Sequence, residues 1–148
     1  MGKLDEIDLK ILRVLLEDAR LSSRQIADRV GVSVGTVLSR IKRMEKERII
    51  EGYSAVINHE NLGYQLTVVT EITVSKGKLL DIEREVAKLP NVCCVYDITG
   101  LTDAIVVAKF KNRKDLSDFT KWLLSLPYVE RTNTHLVLTT VKEDFRFV

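Results

Sequence analysis

The stretch Ser22–Glu47, SSRQIADRVGVSVGTVLSRIKRMEKE, decides how the first half of the chain folds. Ser22 or Ser23 caps a short helix, because a serine oxygen can accept from an orphan N–H of the first turn. Ile26, Ala27 and Val30 recur at three- and four-residue steps and form its inner side. Gly31 supplies a left-handed stop. Only Val32 intervenes before Ser33 caps the next helix, with Val37, Ile41 and Met44 facing inward. Gly35, Thr36, Ser39, Arg40 and Arg43 face outward. Two helices joined by so tight a glycine turn cross steeply, as in a helix-turn-helix.

Working outward, Leu4, Ile7, Ile11, Val14, Leu15 and Ala19 give an earlier amphipathic helix over residues 5–19. Asp5, Glu6 and Asp8 sit in its first turn, where the helix dipole favours anions. Downstream, residues 49–57 (IIEGYSAVI) are β-prone and read as a strand leaving the unit. Asn58, Asn61 and Gly63 mark a linker at 58–66. The second half then changes period: strands at 67–74, 92–98, 104–110 and 132–141, with helices at 78–89 and 114–125. Leu89-Pro90-Asn91-Val92 repeats as Leu126-Pro127-Tyr128-Val129 at an offset of 37 residues. Two βαβ units in tandem predict a ferredoxin-like βαββαβ sandwich. The fold class is therefore α+β: a winged-type helix-turn-helix domain at 1–57, a linker at 58–66 and the sandwich at 67–148.

Composition excludes several classes. The 148 residues are 45% hydrophobic with a net charge of +2, far from a disordered or collagen-like chain. No apolar run is long enough to cross a bilayer, and the start shows no secretory h-region, so a soluble cytoplasmic protein is expected. Adjacent Cys93 and Cys94 cannot staple a small fold or jointly hold one metal on one strand face. His59 and His135 have no local Cys or Asp partners for a triad or a zinc set, and no phosphate-binding glycine loop occurs. No enzyme, cofactor or metal is expected. Net charge near zero speaks against nucleic acid, but its distribution reverses that. Residues 1–52 hold 11 Lys+Arg against 9 Asp+Glu, whereas the remainder holds 12 of each. Between Ser33 and Arg48 five bases face two acids.

A basic second helix in this motif suits the major groove of double-stranded DNA. Ser33, Gly35, Thr36 and Ser39 allow close approach and hydrogen bonds. Arg40 has the reach to fork onto a guanine. Arg24, Gln25, Lys42 and Arg43 are placed for phosphates, which fix register.

The segments 23–33, 36–37, 40–45 and 49–53 resemble the Lrp/AsnC family of transcription regulators. So do the opening Leu4–Leu12, Leu62-Gly63-Tyr64, and Val95-Tyr96-Asp97-Ile98-Thr99-Gly100-Leu101-Thr102-Asp103. One departure is Arg48, where members often carry glycine after the recognition helix. The resemblance implies a sheet domain that pairs with a second copy, in homodimers that assemble into octamers or other multiples. Unalternating apolar runs at 104–108 and 136–138 agree, since both sheet faces then need cover. It also implies an amino-acid effector at the hairpin Gly100, Leu101, Thr102 and Asp103, with Thr132 and Thr134 facing the same site. Asp103 would accept from an ammonium group. Thr102 stands where the family often has an aromatic.

Overall fold

Side-chain caps begin each of the first three helices. The computed structural model describes residues 4–75 and 77–148. In α1 (Glu6–Glu17) the Asp5 carboxylate accepts from the Asp8 N–H at 3.0 Å, and Asp8 accepts from the Asp5 N–H at 3.0 Å. This reciprocal capping box satisfies two orphan donors at once. Ser22, not Ser23, caps α2 (Ser23–Val30), with Gln25 closing a second box. Gly31 adopts φ 79° and ends α2, and Ser33 then caps α3 (Val34–Lys46). α1 stops earlier than residue 19 because Asp18 turns extended and accepts from the Arg20 N–H. Ile11, Ile26, Ala27, Val37 and Met44 form the buried core of this helical unit. Leu4, Ile7, Val14, Leu15, Val30 and Ile41 pack around it.

The expected strand at 49–57 does not form. Arg48 takes φ 58°, and the Ile49 and Ile50 N–H groups both return to the Met44 carbonyl, at 2.8 and 3.2 Å. Ile49 and Ile50 join the helical core, while the rest of the segment finds no ladder partner among the described residues. β propensity alone does not make a strand without a neighbour to bond.

The second unit contains β1 (Leu66–Val74), α4 (Leu79–Val86), β2 (Val92–Asp97), β3 (Ala104–Phe110), α5 (Arg113–Ser125) and β4 (Val129–Leu136). Its sheet order is β2-β3-β1-β4, with all neighbours antiparallel, which is the βαββαβ sandwich. Val68, Ile72, Val74, Ala104, Val106, Ala108 and Phe110 bury one face against Ile82, Val86, Phe119 and Leu123 of the helices. The two Leu-Pro turns close alike: Val92 N–H donates to Leu89 O at 3.1 Å and Val129 N–H to Leu126 O at 3.3 Å. β4 begins at residue 129, three residues before the expected start, because Tyr128 at φ 78° turns the chain straight into pairing. Its ladder ends at Leu136, so 137–141 is not strand.

Among the described residues, both helices of the sheet unit pack on the first face and leave the opposite face without a helix of that unit. The pairs Val69–Val107, Val107–Cys94 and Ile105–Tyr96 put an apolar stripe there. Glu71, Asn133 and His135 flank it, with Asn133 Nδ2 3.3 Å from Glu71 and 3.0 Å from His135 Nε2.

Two compact units result: residues up to 56 together with 142–148, and residues 57–141. The last seven residues group with the helical unit. Arg13 Nε donates to the Val148 carbonyl at 3.5 Å. Among the described residues no helix is long and apolar enough to cross a membrane.

Candidate nucleic-acid interface and ligand hairpin

The turn between α2 and α3 is held by backbone bonds, with Gly31 and Val32 N–H groups both donating to Ala27 O at 2.8 and 3.1 Å. At the start of α3 the Ser33 hydroxyl accepts from the Thr36 N–H at 3.1 Å and lies 2.9 Å from the Thr36 hydroxyl. Ser39 donates to the Thr36 carbonyl. Exposed on α3 are Val34, Gly35, Leu38, Ser39, Lys42, Glu45 and Lys46, beside exposed Ser33; Arg24 and Gln25 are exposed on α2. Gln25 Oε1 is already used in the cap. Val34 and Leu38 were not singled out from sequence; their signal was an apolar residue at each position of an outward i, i+4 pair.

Arg40 and Arg43 do not point outward as expected. Arg40 Nη1 donates to Asp5 and to both oxygens of Asp8, at 3.1 and 3.2 Å for the latter. Arg43 Nη2 donates to Asp8. Asp8 is fully buried. A buried carboxylate needs paired cations, and these two guanidiniums are the ones that reach it. The Asp8 backbone N–H, then Arg40, holds the Asp5 carboxyl below its ordinary range. Asp5, then Asp8, raises the Arg40 guanidinium. α1 thus braces α3 through charge as well as packing. Tyr53 OH donates to Glu45 at 2.9 Å, tying the segment after α3 back onto it.

In the sheet unit, Gly100 takes φ 135° in the β2–β3 connection and Leu101 is almost fully exposed. Asp103 is bound on three sides. Its N–H donates to Ile72 O at 2.9 Å, its carbonyl accepts from Ile98 N–H at 3.0 Å, and its carboxylate accepts from Val74 N–H at 2.7 Å. The last bond covers a donor that lies just beyond the end of the β1–β3 ladder at Ile72–Ala104. Thr132 pairs with Ile72 and Thr134 with Thr70, whose hydroxyls lie 3.1 Å apart. Asp103 and Thr132 therefore flank the same end of β1, while Thr134 sits two pairs further along. A separate cleft of about 510 Å³ opens between Tyr64, Phe110, Phe119 and Trp122, with Lys109 and Lys111 at its rim. Among the described residues no cluster of three or more His, Cys, Asp or Glu side chains is placed to hold a metal ion.

Comparison with known proteins matches both units. The family model for a winged helix-turn-helix DNA-binding domain covers residues 4–51, and that for the Lrp/AsnC ligand binding domain covers residues 67–147. The chain belongs to the Lrp/AsnC family. Its relatives include an uncharacterized HTH-type transcriptional regulator of Pyrococcus abyssi, 50% identical over 97% of both chains. The HTH-type transcriptional regulator FL11 of Pyrococcus horikoshii is 35% identical over 95% of this chain and 93% of its own. Among solved structures, a transcriptional regulator from Neisseria meningitidis in complex with L-Met superposes with a TM-score of 0.90. It is 30% identical and covers 99% of this chain and 97% of its own. This Lrp/AsnC protein is a transcriptional regulator with a DNA-binding helix-turn-helix and a ligand-binding domain.

Proposed function

We propose that this Lrp/AsnC regulator binds a specific duplex sequence as a homodimer, or a multiple of dimers, and that a small effector such as an amino acid modulates it. The observation that carries the DNA reading is the exposed face of α3. Ser33, Gly35, Ser39 and Lys42 stand free of the core, and Arg24 and Gln25 stand at the start of α2, where phosphates bind. Thr36, half-buried under Ser33, fixes the N-terminus of α3. Arg40 and Arg43 act here by holding α3 against α1.

Two surfaces support self-association. The open sheet face carries Val69, Val107 and Ile105 uncovered by any element of its own unit. The unpaired 51–57 segment keeps Tyr53, Val56 and Ile57 exposed. A two-fold dimer presents two α3 helices to half-sites one helical turn apart, ~34 Å. For the effector, the hairpin Gly100, Leu101, Thr102 and Asp103 with Thr132 and Thr134 is the proposed site. That a Neisseria relative was solved as an L-Met complex supports an amino acid as the effector.

Fluorescence anisotropy with duplex DNA across a salt series, combined with sedimentation at each salt, tests this. Binding as a dimer or larger species that weakens steeply with salt is expected, because phosphate contacts release counterions. Salt-independent or absent binding would sink the reading.

A further inference from the structure

Val34 and Leu38 lie one turn apart on α3 and are 40% and 54% exposed. Lys42 continues the same i, i+4 ridge. Beside Val34 stands Gly35, inside a helix where glycine costs ~1 kcal/mol against alanine. Nothing in the chain demands it: a Cβ there would meet no atom nearer than Ser33 Oγ at 3.9 Å. A small apolar patch with a bare backbone at its edge is thus kept on the one helix whose guanidiniums are engaged by Asp5 and Asp8. Cations follow it along α3, since exposed Lys42 and Lys46 keep the i, i+4 spacing from Leu38 and make no ion pair among the described residues. Apolar patch and following cations complement the DNA major groove, with phosphates at the edges and base edges between. Within that groove only one base carries an apolar group, the C5-methyl of thymine.

We propose that Val34 and Leu38 are specificity-determining residues that read thymine methyl groups, with Gly35 allowing the backbone to approach. The inference rests on the duplex-DNA reading above and names the base chemistry of that same surface. A guanine contact from Arg40 would have to break its bonds to Asp5 and Asp8 and leave Asp8 buried with one cation fewer. Reading by Val34 and Leu38 needs no such rearrangement.

The test replaces thymine by uracil, which removes the methyl and nothing else. A duplex is selected from a random pool with the full-length protein. Each thymine of the selected site is then changed to uracil, one position at a time, and affinity is measured by anisotropy. At one or two positions per half-site the wild type should lose about three- to fivefold, the worth of one buried methyl. Leu38→Ala should erase the loss at one position and Val34→Ala at another, each with unchanged thermal midpoint because both residues are exposed. Tight binding that tolerates uracil everywhere overturns the proposal while leaving the DNA reading intact. So does a uracil penalty that persists in both variants. If Leu38→Ala dissociates the oligomer without changing the uracil response, the patch is a self-contact and the proposal fails. Failure to enrich any duplex removes the DNA reading and this inference together.

Discussion

Asp8→Ala deletes a carboxylate that is fully buried and accepts from Arg40, Arg43 and the Asp5 N–H. Removing one partner of a buried ion pair costs ~3–5 kcal/mol. Here the two arginine side chains keep 26% and 35% of their exposure, so the stranded cations regain part of their hydration. That lowers the electrostatic share to about 2 kcal/mol. Loss of one half of the capping box adds roughly 1 kcal/mol. The helical unit should therefore lose ~3 kcal/mol, equivalent to a drop of about 12–24 °C in its midpoint for a domain of this size. Urea unfolding of the full chain, followed by far-UV dichroism, measures it. Adding Arg43→Met to Asp8→Ala should cost much less than Arg43→Met alone, since the shared interaction is already gone. A shift under ~0.5 kcal/mol for Asp8→Ala, the range of ordinary surface changes, would refute the argument that α1 braces α3 through this carboxylate.

Arg48→Gly relieves a non-glycine residue at φ 58° and should raise stability by ~0.5–1 kcal/mol, read from the urea midpoint. Asp103→Asn keeps an acceptor for the Val74 N–H and should hold the sheet domain's thermal midpoint within a few degrees. It should remove any thermal shift produced by amino acids, whereas Asp103→Ala lowers the midpoint by leaving that N–H unpaired. Glu83 on α4 has its carboxyl raised above 4.5, first by burial and then by Asp97. A raised acid contributes fully below 4.5 and loses that contribution as pH rises through its folded value. Glu83→Gln should thus raise the melting temperature at pH 7, and the gain should vanish at pH 4.

Local chemistry was the legible part. Ser33, Gly31 and the two Leu-Pro turns act within four residues of themselves, so their readings needed no tertiary information. β3 spans Ala104–Phe110 as expected because both of its neighbours are strands of the same unit. The segment at 49–57 has strand composition but no ladder partner among the described residues, a property that propensity does not report. Arg40 and Asp8 are 32 residues apart, and Arg43 and Asp8 35. From the sequence each had its own sufficient local role, dipole for the acid and DNA for the bases, and the burial that joins them was invisible. For Asp103 the family resemblance implies a ligand role, whereas its bond to the Val74 N–H just beyond the β1–β3 ladder is a structural task that only the folded chain shows.

Trp122 is the single tryptophan of the chain, 6.4 Å from Phe119 between ring centroids on α5. It lies within the 57–141 unit, and none lies among the DNA-reading helices. Native emission is therefore a meter mounted on the ligand-binding half alone. Any change in that emission when an operator is added, with no effector present, is a message received from the other half of the molecule. Its amplitude gauges how far occupancy of the DNA site is felt by the sheet.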